Sequence, residues 1–317
     1  LQDTLLVTGG AGFIGSNFLN MYCPENPDKR VINLDALYYA GKECNVSAEV
    51  RESSNYQFLR LNLCDYTALV DLVRTHRITE VIHFAAQSHV TNSFTDSRQY
   101  TQDNVVGTHN LLEACRLHAP HLKKFVHVST DEVYGESPLD AGTNSKTEHS
   151  VLCPTNPYAA TKAAAELIAQ SYHHSWGMPI VVTRGNNVYG PNQYPEKVIP
   201  RFIKRLREGK KVQIEGDGSC VRAFMHASDA ARAFQLVLDK GEIGEIYNLG
   251  CDEGSEISVK ALAEKLVRAA RGEDADPQDW IEHVEDRPFN DKRYYISNQK
   301  LKGLGWQQRV RDIRIKM

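Results

Sequence analysis

The chain has 317 residues, of which 41% are hydrophobic and 24% charged, and its formal net charge is −3. This length suffices for one large α/β unit or for two lobes. The weak acidic charge and the scattered aromatic residues argue against nucleic acid or an anionic membrane as a partner. The sequence contains no apolar run of about 18 residues, the length that is needed to span a bilayer.

The cysteine content points to a reducing compartment. Seven cysteines are present, an odd number at wide spacing and without a C-x-x-C pair, which is typical of reduced thiols. The chain starts almost directly with a predicted strand, so we expect no signal peptide within it. The expected location is therefore the cytoplasm.

Short apolar or β-branched runs alternate with helical patterns through the first half of the chain. In chain order, the predicted strands are TLLVTG, RVINLD, YQFLRLNL, EVIHFAA, KFVHVST and IVVTRGN. Helical spacing lies between them, as in YTALVDLVRTH and NVVGTHNLLEACRLH. Because the strands are apolar throughout, this alternation predicts a parallel sheet that is covered on both faces.

The alternation loosens after about residue 184. Prolines interrupt YGPNQYPEKVIP, EGDGS marks a turn, and a helix at about 228–240, the strand EIYNLG and a helix at about 258–271 follow. We predict an α/β fold with a Rossmann-like, doubly wound parallel sheet in residues 1–184. Part of about 223–248 would return to this sheet, and residues 185–317 would mainly form a smaller mixed α/β substrate-binding lobe.

A glycine-rich stretch, TGGAGFIG, follows the first strand and opens a helix. Gly9 allows a tight turn, Gly12 lets the backbone approach a pyrophosphate, and Gly15 lets the helix pack closely on the strand. Asp35 ends the second strand 20 residues after Gly15, where a carboxylate can hold both ribose hydroxyls. No arginine follows Asp35 closely, so the sequence predicts an NAD site rather than an NADP site.

Two residues of the helix after Pro157 are suited to acid–base chemistry. Tyr158 and Lys162 are four residues apart and share a helix face, and the ammonium group is expected to favour the phenolate. Tyr158 could then take a proton from a sugar hydroxyl while hydride leaves the same carbon. The pattern Y-x-x-x-K often arises by chance on a solvated face, but after a dinucleotide loop it indicates catalysis.

The strand KFVHVST ends on two adjacent carboxylates, Asp131 and Glu132. Adjacent acids at the end of a buried strand repel one another and are costly to desolvate. In a dry site one of them would stay protonated while the other ionises, which gives an acid and a base side by side. The alternative interpretation is a solvated acidic turn.

These motifs resemble those of the extended short-chain dehydrogenase/reductases and, within them, the nucleotide-sugar 4,6-dehydratases. The resemblance covers nearly the whole chain, through TGGAGFIG, FAAQSHV, STDEVYG, NPYAATKAAAE, NNVYGPNQYPEKVIP, YNLG, DRPFNDKRY and LGW. The segment STDEVYG separates dehydratases from their epimerase relatives, which keep the tyrosine and lysine but lack the adjacent acids.

The resemblance implies a hydro-lyase reaction. Tyr158 would deprotonate the 4-hydroxyl of a glucosyl ring, which Thr130 also holds, while hydride passes from C4 to NAD⁺. Glu132 would remove the C5 proton, and protonated Asp131 would release the 6-hydroxyl as water before the hydride returns to C6. The motifs look more like those of UDP-glucose enzymes, including the dehydratase part of rhamnose synthases, than of dTDP-glucose enzymes. The implied product is UDP-4-keto-6-deoxyglucose.

The resemblance also implies two sets of binding residues. For NAD they are Gly9, Gly12, Phe13, Ile14, Gly15, Asp35, Asn62, Leu63, Ala85, Ala86, Gln87, Tyr158 and Lys162. For the nucleotide sugar they are Ser88, Thr130, Asn187, Glu196, Lys197, Arg222, Asn248 and Arg287. The family usually has an aspartate where this chain has Asn62, whose amide oxygen can still accept a hydrogen bond from adenine.

Other assignments stay open or are disfavoured at this point. A homodimer is implied, formed by the helix at about 100–118 and the Tyr158 helix. The nucleotide could also be dTDP. A 4-epimerase is disfavoured by the acid pair. A glucuronate decarboxylase would need extra partners for the substrate carboxylate and not this acid pair, and the intact catalytic residues argue against a silent NAD-binding scaffold. His89, His173 and His174 lack a third ligand at suitable spacing, so no metal is expected.

Overall fold

The computed structural model describes residues 3–139, 145–286 and 290–313. Its strands are β1 (Thr4–Thr8), β2 (Arg30–Asp35), β3 (Tyr56–Arg60), β4 (Ile78–His83), β5 (Lys124–Thr130), β6 (Ile180–Gly185), β7 (Asn187–Tyr189), β8 (Val212–Glu215), β9 (Val221–His226), β10 (Ile246–Leu249), β11 (Glu256–Ser258) and β12 (Ile281–Val284). Its α-helices are α1 (Phe13–Glu25), α2 (Ala48–Arg51), α3 (Tyr66–Thr75), α4 (Val90–Thr95), α5 (Ser97–Tyr100), α6 (Gly107–His118), α7 (Pro157–Trp176), α8 (Val198–Arg207), α9 (Ala227–Lys240), α10 (Val259–Arg271) and α11 (Gln299–Gly303).

Seven strands form one parallel sheet in the order β10-β6-β5-β4-β1-β2-β3. Two smaller sheets have the orders β11-β9-β7 and β12-β8. The predicted fold class is therefore confirmed. Strand order reverses beside β1, and at such a switch point the loops after neighbouring strands diverge and leave a crevice at the carboxyl edge.

Both faces of the large sheet are covered by helices. Along β1, Leu5 and Val7 pack into the layer that contains Phe18 of α1 and Phe234 of α9. Leu6 points to the opposite layer, which α3 and α6 supply with buried leucines. Since successive side chains of a strand alternate between faces, covering both faces requires the continuous apolar strands that the sequence contains.

The chain leaves the large sheet after β6 and later returns to it. Helix α9 packs against α1, and β10 pairs in parallel with β6. The segments outside this return build a second core from residues of α8, β8 and α10, including Phe202, Ile214 and Leu262. How the two parts share the binding of cofactor and substrate stays a prediction.

One long helical stretch differs from the continuous α-helix suggested by NVVGTHNLLEACRLH. A π-helical segment, Thr101–Val106, joins α5 to α6. Within it, buried Asn104 accepts a hydrogen bond from the N–H of Gln87 at 2.7 Å and donates to Gln87 O at 3.0 Å. In the described part of the chain, no helix is long and apolar enough to cross a membrane.

Candidate active site

The glycine loop forms a cradle between β1 and α1. Gly9 has a φ of +72°, and a Cβ there would lie 2.6 Å from Ala85 N. A Cβ on Gly15 would lie 2.4 Å from Gly9 O, so the helix can approach the turn only because this residue has no side chain. Gly12 caps α1 without a side-chain hydrogen bond, which leaves first-turn N–H groups for an anion. This geometry fits a dinucleotide.

Asp35 lies beside this cradle, at the carboxyl end of β2. Its carboxylate accepts hydrogen bonds from the N–H groups of Ala11 at 3.0 Å and Leu37 at 2.8 Å, and burial raises its pKa. Each carboxylate oxygen has two acceptor positions, so Asp35 can accept hydrogen bonds from ribose hydroxyls in addition to those from the two backbone N–H groups.

The remaining residues predicted to contact NAD line the same cleft. Phe13 and Ile14 begin α1, Asn62 and Leu63 follow β3, and the segment after β4 contributes Ala85, Ala86 and Gln87. Ser88, which is predicted to contact the substrate, follows them in the lining. Asn62 Oδ1 accepts from the N–H of Cys64 at 2.9 Å, and Nδ2 donates to the Tyr38 hydroxyl at 2.8 Å. This turn ends β3 at Arg60, short of the predicted YQFLRLNL.

Helix α7 brings Tyr158 and Lys162 to the cleft. Asn156 caps the helix by accepting from the N–H of Ala159 at 2.8 Å, and Pro157 stands in the first turn. Lys162 is 4% exposed and donates from Nζ to Val128 O at 2.7 Å. Burial lowers the pKa of Lys162 to about 8, although Glu166 one turn later acts in the opposite direction.

The pKa of Tyr158 depends on burial and on the groups around it. Burial, followed by the carboxylate of Glu132, raises the pKa of Tyr158 above that of a free phenol, and a hydrogen bond with Thr130 offsets only part of this rise. Lys162 instead bonds to the backbone of β5. The effect of the Lys162 ammonium on the phenolate of Tyr158 therefore stays a prediction, and burial and Glu132 act against it.

The two adjacent acids begin a 3₁₀ turn, Asp131–Tyr134, directly after β5. Asp131 is 2% exposed; burial first, and then the charge of Glu132, raise its pKa to about 7. Burial also raises the pKa of Glu132, against opposing effects that begin with a hydrogen bond from Asn156 and include the cations Lys197 and Arg222. The pKa of both carboxyls is therefore raised, chiefly by burial, and the roles of Asp131 as acid and Glu132 as base stay predictions.

Two asparagines that sequence reasoning missed contact these acids. Asn186 Nδ2 donates to Asp131 Oδ2 at 2.7 Å, and Asn156 Nδ2 donates to Glu132 Oε2 at 3.1 Å. The sequence offered one signal for each asparagine. Asn156 stands in NPY, directly before a helix, and Asn186 stands in GNN, directly after a strand. Neither signal shows which carboxyl the side chain reaches.

A second cavity adjoins the first on the side of the smaller lobe. Glu132, Asn187, Glu196 and Lys197 border both cavities. Glu196 accepts from the Tyr39 hydroxyl at 3.0 Å, and Lys197 Nζ donates to Ser88 O at 2.8 Å.

Arg222 lines the second cavity. Its guanidinium lies 4.6 Å from the centre of the Tyr294 ring and donates to Asp291 O at 2.7 Å. A cation held in this way beside an open cavity suits an anionic ligand.

One predicted substrate residue requires correction. Asn248 is fully buried, accepts from the Tyr134 hydroxyl at 2.8 Å and donates to Lys146 O at 3.2 Å. It lies outside the lining of both cavities because it pairs with Arg184 between β10 and β6, so we assign it a structural role. Arg287 lies outside the described residues.

The histidines make local contacts. His89 caps α4 by accepting from the N–H of Asn92 at 3.2 Å, and His173 Nδ1 lies 2.8 Å from Met178 O. Among the described residues, no three His, Cys, Asp or Glu side chains are grouped so that they could hold a metal ion.

Comparison with known proteins identifies the family. The sequence model described as GDP-mannose 4,6 dehydratase matches residues 6–313. The chain belongs to this family. It is a short-chain dehydrogenase/reductase of the nucleotide-sugar 4,6-dehydratase type, and the family prediction is confirmed.

Curated relatives with two different nucleotides in their names are similar to this dehydratase-family chain. A trifunctional UDP-glucose 4,6-dehydratase/UDP-4-keto-6-deoxy-D-glucose 3,5-epimerase/UDP-4-keto-L-rhamnose-reductase of Arabidopsis thaliana is 46% identical over 306 residues, 96% of this chain and 45% of that protein. A dTDP-D-glucose 4,6-dehydratase of Bos taurus is 44% identical over 96% of this chain and 84% of its own length. The chain thus spans less than half the length of the Arabidopsis relative.

Solved structures share the fold and carry the predicted cofactor. The dTDP-glucose 4,6-dehydratase DesIV of Streptomyces venezuelae, crystallised with NAD, has a TM-score of 0.88 and 38% identity, covering 97% of this chain and 92% of that one. The UDP-glucose 4-epimerase of Thermus thermophilus, also with NAD, has a TM-score of 0.85 and 34% identity, covering 97% and 94%. The cofactor prediction agrees with both, and the fold alone does not separate dehydratase from epimerase.

Proposed function

We propose that the chain catalyses the NAD-dependent dehydration of UDP-glucose to UDP-4-keto-6-deoxyglucose. The observation that carries the proposal is the adjacent pair of buried Asp131 and half-buried Glu132, which lines the same cleft as Tyr158 and the dinucleotide cradle. A 4-epimerase needs the tyrosine but has no step for an acid and a base at C5 and C6, so the pair favours elimination of water.

The first step is deprotonation of the 4-hydroxyl. Tyr158 accepts this proton, and Thr130 holds the same substrate oxygen by a hydrogen bond. The positive charge of Lys162 favours the phenolate of Tyr158. Bound NAD supplies a hydride acceptor and the positive charge of the oxidised nicotinamide, which favours a phenolate that burial and Glu132 disfavour. The proposed cofactor contacts are those given from the sequence, from Gly9 to Gln87 along the cleft together with Tyr158 and Lys162.

The second step uses the acid pair. The C4 ketone acidifies C5–H, so Glu132 can remove that proton as an ionised base. Asp131, held neutral by burial and by the charge of its neighbour, gives its proton to the leaving 6-hydroxyl. Glu132 then returns its proton to C5 while the stored hydride returns from the reduced nicotinamide to C6 of the C5–C6 double bond.

Substrate binding is proposed for the junction of the two cavities. Glu196 and Lys197 would contact the hexose, and Asn187 and Arg222 the diphosphate. This division gives residues 1–184 the cofactor and residues 185–317 mainly the nucleotide sugar. In a homodimer, α6 and α7 of one subunit would pack against α6 and α7 of the other. The expected location of the protein is the cytoplasm.

UDP is preferred to dTDP as the nucleotide because RGNNVYGPNQYPEK looks like the UDP-glucose enzymes and the 46% identical relative carries that activity in its name. The reaction would be an early step towards rhamnose or another 6-deoxyhexose. dTDP-glucose is the alternative, favoured by the 44% identical bovine relative.

The deciding experiment incubates the purified protein separately with UDP-glucose and dTDP-glucose and follows the products by mass spectrometry. We expect loss of one water from UDP-glucose, faster than from dTDP-glucose. Faster loss from dTDP-glucose would replace the nucleotide and keep the reaction class. A protein that binds NAD but eliminates water from neither substrate would overturn the dehydratase assignment.

A further inference from the structure

Each carboxyl of the acid pair is contacted by one buried asparagine amide. Asn186 is 7% exposed and reaches Asp131 Oδ2, and Asn156 is 6% exposed and reaches Glu132 Oε2. Neither amide has a role in the steps derived so far. Their geometry bears on a question those steps leave open, namely which oxygen of each carboxyl carries the proton.

Backbone N–H groups fix the orientation of both amides. The oxygen and nitrogen of an asparagine amide are distinguished by their hydrogen-bond partners. The N–H of Cys251 lies 3.0 Å from Asn186 Oδ1, and that of Ala159 lies 2.8 Å from Asn156 Oδ1. Because a backbone N–H only donates, the atom facing it must be the oxygen. The amino group must therefore face the carboxyl in both cases.

An amide N–H aimed at one carboxyl oxygen makes the two oxygens unequal. The oxygen of an acid O–H is a poorer acceptor than the carbonyl oxygen, so a proton on the bonded oxygen would weaken that hydrogen bond. Asp131 Oδ1 accepts a longer hydrogen bond, 3.3 Å, from Thr130 Oγ1 in the cleft lining. A hydroxyl can turn and accept instead, whereas the amide N–H of Asn186 can only donate, so in protonated Asp131 the proton is directed to Oδ1. In Glu132 the hydrogen bond from Asn156 goes to Oε2, and no described residue donates a hydrogen bond to Oε1.

We propose that Asn186 and Asn156 are positioning residues that select the reacting oxygens, Oδ1 of Asp131 and Oε1 of Glu132. The inference rests on the proposed dehydration. Glu132 Oε1 takes the C5 proton, and the C5–H electron pair forms the C5–C6 double bond. The C6–O bond breaks with its pair, and the departing oxygen takes the proton of Asp131 Oδ1 and leaves as water. The proton that Tyr158 took from the 4-hydroxyl balances the one that Asp131 gives.

The proposal predicts a pH signature with a defined sign. Each amide donor favours the ionised carboxylate, so removing it raises the pKa of its own partner. Asp131 must be protonated to act, so its pKa sets the alkaline limb of the rate profile. Glu132 must be ionised, so its pKa sets the acidic limb. Loss of the Asn186 donor should move the alkaline limb to higher pH, and loss of the Asn156 donor should move the acidic limb to higher pH.

The test uses Asn186→Asp and Asn156→Asp, which keep an oxygen for the backbone N–H and lose the donor. Aspartate is also a preferred N-cap residue, so α7 keeps its cap. The control is Asn26→Asp, because Asn26 donates to Tyr22 O at 2.8 Å, outside the lining of both cavities. Two substrates are compared: the nucleotide-glucose that the wild type dehydrates, and its 6-deoxy analogue. The analogue has no 6-hydroxyl to lose and reports C4 oxidation alone through the absorbance of reduced nicotinamide.

We expect both variants to lose at least about 10-fold in dehydration, a part of what acid–base catalysis contributes. Oxidation of the 6-deoxy analogue should stay within about twofold of wild type, because that step uses neither carboxyl. Each variant should shift its own pH limb, and the control should change nothing.

Equal losses in both reactions with unmoved limbs, or no loss at all, would overturn the proposal and leave the amides a purely structural role. Thermal melting identifies a misfolded variant; if Asn186→Asp is one, Asn156→Asp decides alone by the same comparison. A wild type that oxidises the analogue but dehydrates neither nucleotide-glucose refutes the proposed function instead, and the positioning assignment falls with it.

Discussion

At the scale of single residues, the environment of Asp131 shifts its pKa in the direction that an acid catalyst needs. Burial and the adjacent Glu132 raise its pKa to about 7. We therefore expect the dehydration rate to fall as pH rises through about 7, because the acid loses the proton that it must donate. In Asp131→Asn the rate should drop about 10²–10⁴-fold, and the alkaline limb should flatten. The measurement is a pH series of product formation by mass spectrometry.

The matched comparison is Asp3→Asn, because Asp3 is a carboxylate whose pKa is lowered by Lys123 and which lies outside the lining of both cavities. This variant should keep both the rate and the shape of the profile. An alkaline limb that persists unchanged in Asp131→Asn would show that another group sets it, and the assignment of the acid would have to move.

At the scale of elements, the approach of α1 to the turn after β1 depends on Gly15. A Cβ there would lie 2.4 Å from Gly9 O and 2.7 Å from the Cα of Gly10. Overpacking of this kind costs about 1–3 kcal/mol. In Gly15→Ala we expect the turn to shift and the NAD dissociation constant to rise at least about 10-fold, or about 1.4 kcal/mol. Calorimetric titration with NAD measures this change.

The control for the glycine is Gly303→Ala, at the end of α11. A Cβ at Gly303 meets no atom within 4 Å, so this variant should bind NAD as the wild type does. If Gly15→Ala also bound NAD normally, close packing of α1 on the turn would not be what prepares the cradle.

Elements set by local patterns could be predicted, whereas contacts set by strand register could not. The glycine spacing and the i, i+4 pair of α7 are properties of one loop and one helix, and the structure brings both to the cleft. The contact of Asn186 with Asp131 spans 55 positions in the chain and depends on where β5 and β6 end relative to each other. Asn248 was misassigned for the same reason, since its pairing with Arg184 buries it.

At the scale of the whole molecule, α6 and α7 lie side by side and expose apolar side chains together. Leu117 of α6 is 48% exposed, and Leu167 and Trp176 of α7 are each 54% exposed. A stable dimer buries about 1,600 Å² in total with an apolar centre, and these two neighbouring helices offer such a centre. We expect the wild type to sediment as a dimer and Leu167→Glu to sediment as a monomer, because a carboxylate would be desolvated in the interface.

The control for this prediction is Val151→Glu. Val151 is 82% exposed and lies outside both helices, so the dimer of this variant should persist. A Leu167→Glu protein that stays dimeric would place the interface on another face. Because Tyr158 and Lys162 stand on the same helix as Leu167, a monomer that also loses dehydration would link assembly to the geometry of α7 in the cleft.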